Sequence, residues 1–355
     1  MPTLPPIPPE DREHIVRHSA PAWRDLAGSR FFITGGTGFY GKWMLEAIAA
    51  ANDELGAGVR ATVLSRDPAH FAAEVPHLAA RPELEWLSGE PARFAPPSGA
   101  FDCLIDFATP SAVEVGAGGT AIIDGCLRGT ENLLAFAQAS GMRRIFYASS
   151  GAVYGRQPAE LERIPEDFVD DPASVSPYGR LKQRTEARLL ASGIDCVISR
   201  GFAFIGPYLP LTDKFAAGSF IRDALAGGPI RIHGDGSPVR SYLYAADLAV
   251  WMSVMLAHGK PGLAYNLGSD HGVTLARLAT AIAAAASPPS EVVLGGSAGV
   301  GALRYLPDTS RARHELGLAA IIDFDAAVSR SVAAARRISG PQSATAVPKA
   351  AACIR

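Results

Sequence analysis

Cysteine is scarce in this sequence: there are four, Cys103, Cys126, Cys196 and Cys353, with no CxxC and no Cys/His cluster among them. That spacing excludes a disulfide framework and a zinc site, and the four read as small buried hydrophobes, with Cys353 in a tail. An excess of one charge is equally absent. Lys and Arg total 33 against 35 Asp and Glu, a formal net charge of −2, and no block of like charge occurs. A phosphate-backbone binder needs a basic stripe, so nucleic acid is excluded as a partner. No apolar run reaches the roughly 18 residues of a membrane span. The longest candidate, from Leu275 to Ala286, is Ala-rich, interrupted by Arg277, and reads as a buried helix. The first ten residues hold five prolines and neither a basic n-region nor an apolar h-region, so they are not read as a secretion signal and the expected compartment is the cytoplasm.

What is present is globular composition, 48% hydrophobic and 19% charged, over 355 residues, about two domains long. Short apolar runs (RFFITG, VRATVLS, LEWLSG, FDCLIDFA, RRIFYASS, DCVISRG) alternate with helical patterns predicted at about 41–51, 122–140 and 177–191. Strands separated by helices of 10 to 15 residues mean crossover units, a parallel sheet and a doubly wound α/β fold. Beyond Gly201 the rhythm breaks into Gly/Pro-rich loops, as expected of a smaller C-terminal substrate-binding lobe. The expected organisation is an N-terminal extension over 1–28 and a dinucleotide-binding domain over 29–200 with a return segment at about 242–268. The substrate lobe takes 201–241 and 269–339. The Pro-rich start to about residue 10 and the tail over 340–355 lack periodicity and are expected to be mobile.

The first strand runs into Thr34-Gly35-Gly36-Thr37-Gly38-Phe39-Tyr40-Gly41 and an amphipathic helix. Gly35 can make the tight turn, Gly38 lets backbone N–H groups approach a pyrophosphate, and Gly41 lets helix and strand pack closely. At the end of the second strand stand Ser65 and Arg66, a hydroxyl and a guanidinium suited to a 2′-phosphate, with Asp67 one step on. NADP(H) is therefore favoured and NAD(H) possible; the alternative is that Arg66 is a solvated loop residue and Asp67 caps the next helix. Further along, Ser176-Pro177 starts a helix carrying Tyr178 and Lys182 at i and i+4 on one face. An ammonium beside a phenol lowers its pKa and makes Tyr178 usable as acid or base, although a partly exposed pair gives the same pattern. The strand before it ends in Ser149-Ser150-Gly151, bringing hydroxyls to the carboxyl edge of the same sheet.

With these motifs in order, the chain resembles the extended short-chain dehydrogenase/reductases of the NAD(P)-dependent epimerase/dehydratase family that act on nucleotide sugars. The likeness covers Arg30 to about Leu318 and rests on TGGTGFYG at Thr34 to Gly41, SSGAVYG at Ser149 to Gly155 and YGRLK at Tyr178 to Lys182. Gly206-Pro207, GDG…R at Gly234 to Arg240 and PDTSRARHELG at Pro307 to Gly317 complete it. It implies Tyr178 as proton donor or acceptor, Ser150 as the hydroxyl bonded to the reacting oxygen, and Lys182 on the nicotinamide ribose. The implied cofactor contacts are Gly35, Thr37, Gly38, Phe39, Tyr40, Gly41, Ser65, Arg66, Glu90, Ala108, Tyr178 and Lys182. The implied substrate contacts are Ser150, Gly151, Phe202, Ala203, Ser219, Phe220 and Arg240, the last gripping a diphosphate unless it is a plain surface arginine. No metal is implied, Ser149 reads as structural, and His233 and His271 as bystanders. The helices around 129–140 and 178–191 carry apolar residues beyond one face, and the resemblance makes this pair a dimer interface.

Departures from the family pattern choose among reactions. Dehydratases of the family carry Asp-Glu after the catalytic hydroxyl; Gly151 and Ala152 supply neither acid nor base, which argues against a 4,6-dehydratase. Ala203 stands where the pattern Arg-x-x-Asn has asparagine, Glu90-Pro91 replaces Asp-Val, and Asp106 replaces a common histidine, in either a functional or a hydrogen-bonded structural role. The expected function is hydride transfer at C4 of a nucleoside-diphosphate hexose, foremost as a 4-keto-6-deoxy sugar reductase, with a 4-epimerase as alternative. A non-catalytic redox-sensing protein on the same scaffold is the rival from another class.

Overall fold

The computed structural model describes residues 3–169, 171–296 and 303–339. Seven strands build one sheet: β1 (Arg30–Thr34), β2 (Arg60–Ser65), β3 (Leu84–Ser88), β4 (Cys103–Asp106), β5 (Arg144–Ser150), β6 (Asp195–Gly201) and β7 (Ala264–Leu267). Their order is β7-β6-β5-β4-β1-β2-β3, and every pairing is parallel. The order reverses between β1 and β4, the place where an open α/β sheet leaves a crevice at its carboxyl edge. This is the doubly wound, Rossmann-type arrangement that the alternating pattern predicts. Strand β1 shows why both faces are covered: Phe31 and Ile33 pack into one core, Phe32 into another.

Nine helices serve the argument: α1 (Pro9–Asp25), α2 (Phe39–Leu55), α3 (Ala112–Ala139), α4 (Pro177–Leu190), α5 (Ala216–Leu225), α6 (Ala245–His258), α7 (Leu275–Ala285), α8 (Ser310–Leu316) and α9 (Phe324–Ser339). On one side, α2 and α6 cover the sheet and α1 packs on both; on the other, α3 and α4 lie together. Helix α6 is apolar almost all round and buried along nearly its whole length, as a helix between sheet and α1 must be. Helix α7 forms where a helix is expected over 275–286, but buries one face only, Leu278, Ala279, Ala281, Ile282 and Ala283, leaving Arg277 and Thr280 exposed. The lobe after β6 adds a three-stranded sheet of Val273–Thr274, Val239–Arg240 and Arg304–Tyr305, and two short strand pairs.

Three expectations change. The Pro-rich start packs from its fourth residue onward: Leu4 N–H bonds Glu74 O at 2.8 Å, the Pro5 carbonyl accepts the Tyr208 hydroxyl at 2.9 Å, and Ile7 is buried. Helix α3 starts ten residues before its predicted start, because Ser111 and Glu114 form a capping box. Within the added residues α3 kinks at Gly119, whose φ is 57°. Finally, the exposed positions of α4 are mixed: Arg180, Gln183 and Arg184 are polar, and the apolar residues that reach the surface are Pro177, Ala187 and Leu190. Cys103 and Cys196 are buried and Cys126 is half-buried; Cys353 and the tail lie outside the described residues. No helix of the described residues is long and apolar enough to cross a membrane.

Candidate functional site

The glycine turn after β1 is built by close approach. A Cβ on Gly35, whose φ is +65°, would lie 2.7 Å from the Ala108 backbone nitrogen, and one on Gly41 would lie 2.3 Å from Gly36 Cα. Above Gly38 the space is open: a Cβ there would meet nothing closer than Gly35 O at 3.4 Å. Gly38 caps α2 without any side-chain hydrogen bond, so no side chain claims the first-turn amides. The open glycine, the free helix N-terminus and the sheet switch point together fit a dinucleotide pyrophosphate. Beneath the turn, Thr34 donates to the buried Asp106 at 2.5 Å, and Asp106 accepts from Ala108 N–H at 3.1 Å. Burial raises the Asp106 pKa against these bonds and the nearby Lys182. Of the two readings of Asp106, the hydrogen-bonded structural one is what this geometry describes.

At the β2 end, Asp67 caps the helix Pro68–Glu74 by accepting from His70 N–H at 2.9 Å, and Ser65 Oγ accepts from Asp67 N–H. Arg66 is exposed and forms no hydrogen bond or ion pair among the described residues. Glu90 is exposed and pairs through its backbone with Arg93; Thr37 and Phe39 are half-buried near the turn.

Across the crevice, Ser150 ends β5 and its Oγ accepts from Ala152 N–H at 3.1 Å, capping the turn Gly151–Tyr154. Helix α4 lies directly on that turn because Gly179 has no side chain: a Cβ there would be 2.2 Å from Ala152 O. Tyr178 is thereby fixed against Ser150. Burial raises the Tyr178 pKa, and the Ser150 hydroxyl pulls it back. Lys182 sends its Nζ down to Ala148 O at 2.6 Å and Thr109 Oγ1 at 2.8 Å, 5.9 Å from the Tyr178 ring centroid. The lowering of the Tyr178 pKa by Lys182 that the sequence suggests is overturned here: desolvation dominates. Lys182 itself is brought to about 8 by burial, against the pull of Asp106 on β4, Glu186 on α4 and Cys126 on α3.

The substrate side splits. Phe202 stacks on Tyr305 with centroids 4.6 Å apart, and both crowd Gly151, whose missing Cβ would be 2.5 Å from the Tyr305 hydroxyl. Arg240 holds Val239 O and Leu303 O and lies 5.8 Å over the Tyr305 ring; no carboxylate among the described residues pairs with it. Ala203 is half-buried beside them in sequence. Phe220 instead belongs to the hydrophobic core, and Ser219 bonds Ala216 O of its own helix, so the structure gives this pair a packing role. Tyr305 escapes the sequence reading because it lies in a two-residue strand that only the three-stranded sheet brings beside Arg240. A second omission is the support behind the site. Ser149 donates to Glu186 at 2.5 Å, Glu186 holds Arg200 through two bonds, and Arg200 reaches Tyr154, which donates to Asn266. The structural reading of Ser149 stands in that chain of bonds. Among the described residues no cluster of three metal-ligating side chains occurs.

The sequence profile of the NAD dependent epimerase/dehydratase family matches residues 31–268. A trifunctional UDP-glucose 4,6-dehydratase/UDP-4-keto-6-deoxy-D-glucose 3,5-epimerase/UDP-4-keto-L-rhamnose-reductase of Arabidopsis thaliana is 34% identical over 146 residues, 40% of this chain and 21% of that protein. The chain thus spans about a fifth of the length of that relative. A UDP-glucuronic acid decarboxylase from the same plant is 24% identical over 298 residues, 81% of this chain and 65% of that protein. Among solved structures, the fold is shared with the UDP-glucose 4-epimerase of Thermotoga maritima (TM-score 0.73, 19% identity, 88% of this chain and 100% of that one). It is shared equally with a dTDP-glucose 4,6-dehydratase of Streptomyces venezuelae with NAD bound (TM-score 0.72, 24% identity, 87% and 97%). With a profile covering most of the chain and the Ser150, Tyr178 and Lys182 side chains converging on the sheet edge that the glycine turn opens, this protein belongs to the NAD-dependent epimerase/dehydratase family.

Proposed function

We propose that the protein transfers hydride at C4 of a nucleoside-diphosphate hexose, reducing a 4-keto-6-deoxy sugar at the expense of NADPH. When bound, the nicotinamide cofactor supplies the hydride. Tyr178 gives its proton to the oxygen left on C4, Ser150 hydrogen-bonds that oxygen as charge develops, and Lys182 holds the ribose and balances the charge around Tyr178. The observation that carries the reading is the pairing of a Tyr178 phenol held protonated by burial with Gly151 and Ala152 at the positions where an elimination needs an acid and a base. A protonated phenol suits reduction, and the absent carboxylates argue against dehydration. Arg240 has no carboxylate partner among the described residues, which supports reading it as a bidentate donor to the diphosphate.

The choice of NADPH rests on Arg66, which has no hydrogen bond or ion pair among the described residues, and on Asp67, which is engaged as a helix cap and so withdrawn from a free ribose 2′-OH. The same three catalytic groups serve a 4-epimerase, in which hydride leaves and returns within one turnover and the cofactor stays bound. The two are separated by adding NADPH to the purified protein with a 4-keto nucleotide sugar and following absorbance at 340 nm. Oxidation in proportion to the sugar supports the reductase. Protein that arrives with stoichiometric NAD and interconverts two C4-epimeric nucleotide sugars without added cofactor establishes the epimerase instead.

A further inference from the structure

We infer that the Tyr40 hydroxyl is a hydrogen-bonding partner for the carboxamide of the bound nicotinamide, a side-chain contact beyond the backbone contacts of the glycine turn. The inference rests on the cofactor reading above. Tyr40 stands in the first turn of α2, two residues past the open Gly38. Its ring is wedged between Phe204, 5.2 Å away, and Phe107, 5.8 Å away, in a near-perpendicular and a tilted contact. The phenol oxygen then crosses the sheet edge to β6 and lies over Gly201: a Cβ at that position would fall 2.0 Å from it. Gly201 is the register partner of Ser150. A glycine inside a strand is unfavourable for the strand itself, and here the space of its missing side chain is filled by a phenol from another element.

Tyr40 thus brings a further hydroxyl to the cluster of Ser150, Tyr178 and Tyr305, and the two phenols are its titratable neighbours. Unlike Ser150, it forms no hydrogen bond among the described residues. Tyr40 is half-buried, so its hydroxyl is left available to a polar group of a ligand that enters the crevice. The ligand group follows from position. Tyr40 lies between the turn that fits a pyrophosphate and the Tyr178 phenol that serves the reacting carbon, so the ring carrying the hydride must pass over it. The carboxamide is the polar substituent of that ring and offers both a donor and an acceptor. Burial keeps the Tyr40 phenol protonated, able to play either part.

The test compares two ligands that differ only in the nicotinamide. Dissociation constants of NADP⁺ and of 2′-phospho-ADP-ribose are measured by calorimetry for the wild type and for Tyr40→Phe, which keeps the ring packing. The expected result is NADP⁺ binding weakened roughly 2- to 12-fold, the span of one neutral hydrogen bond, with 2′-phospho-ADP-ribose unchanged. Gly201→Ala, whose methyl must displace the phenol, should show the same selective loss. Equal loss for both ligands, no loss for either, or a change confined to the KM of the sugar overturns the inference while leaving the cofactor reading intact. A wild type that binds neither ligand in its NADP or NAD form overturns the cofactor reading, and this inference with it.

Discussion

Tyr178, Ser150 and Lys182 divide the chemistry by how deeply each is buried and by what it already touches. Tyr178 loses solvent and so holds its proton above the ordinary phenol pKa of about 10; Lys182 loses solvent and gives up its proton near 8. The ammonium is therefore present below about 8 and lost above it, while Tyr178 stays protonated throughout that range. In the reductive direction, kcat/KM measured against pH should fall on an alkaline limb near 8, and Lys182→Met should lower activity and remove that limb. A limb near 10 that persists in the Lys182 variant would assign the titration elsewhere. Tyr178→Phe keeps the ring and loses the proton, so kcat should drop by roughly 10²-fold or more with cofactor affinity nearly unchanged, as stopped-flow and binding titrations would show. Arg66→Ala should weaken NADPH roughly ten- to a hundred-fold and NADH little, the signature of a lost charge-assisted bond to a 2′-phosphate. Tighter NADH than NADPH in the wild type would reverse that assignment.

At the scale of elements, the site exists because three backbone approaches are closer than any side chain allows: Gly35 on Ala108, Gly41 on Gly36 and Gly179 on Ala152. The first two fix α2 against the end of β1, and the third sets α4 on the turn that Ser150 caps. Gly41→Ala would press a methyl to 2.3 Å from Gly36 Cα, backbone against backbone with no flexible side chain to yield. Overpacking of that kind costs about 1–3 kcal/mol, so a lowered denaturant midpoint and loss of dinucleotide binding are expected together. Unchanged binding in that variant would show that the turn tolerates widening. Helix α1 works on the α2 side of the sheet, away from α4. Its buried Asp11 accepts from Tyr244 at 2.6 Å and from Arg330 at 2.7 Å, tying the N-terminal extension to both the strand before α6 and the last helix.

For the molecule as a whole, α3 and α4 lie side by side, and the exposed α4 positions mix Arg180, Gln183 and Arg184 with Ala187 and Leu190. We propose a homodimer through this pair of helices. Since its exposed positions include Arg180 and Arg184 on α4 and Asp124 and Glu131 on α3, the association should weaken as salt rises. Light scattering at micromolar protein should give twice 37.1 kDa at low ionic strength. A 37.1 kDa particle there would rule the dimer out.

The sequence by itself determined the elements that repeat and the motifs that need particular residues. Period and spacing suffice for the β-α alternation, the parallel sheet, the glycine turn and the i, i+4 pairing of Tyr178 with Lys182, because each rests on local geometry; the roles given to Ser150, Tyr178 and Lys182 are what the family resemblance implies. It misled where the same residues support two local structures: the helix expected from about residue 122 starts at Ala112 because a capping box opens it there, and the Pro-rich start reads as mobile until Ile7 is seen buried. Only the tertiary structure decided what depends on distant segments meeting. It set the Tyr178 pKa through burial rather than through its neighbour four residues on, and brought Tyr305 and Arg240 together across a sheet of two-residue strands. It sent Phe220 into the core, and laid Tyr40 over a glycine 161 positions away in the chain. Desolvation and packing are properties of what surrounds a residue, and that surrounding is assembled only when the chain folds.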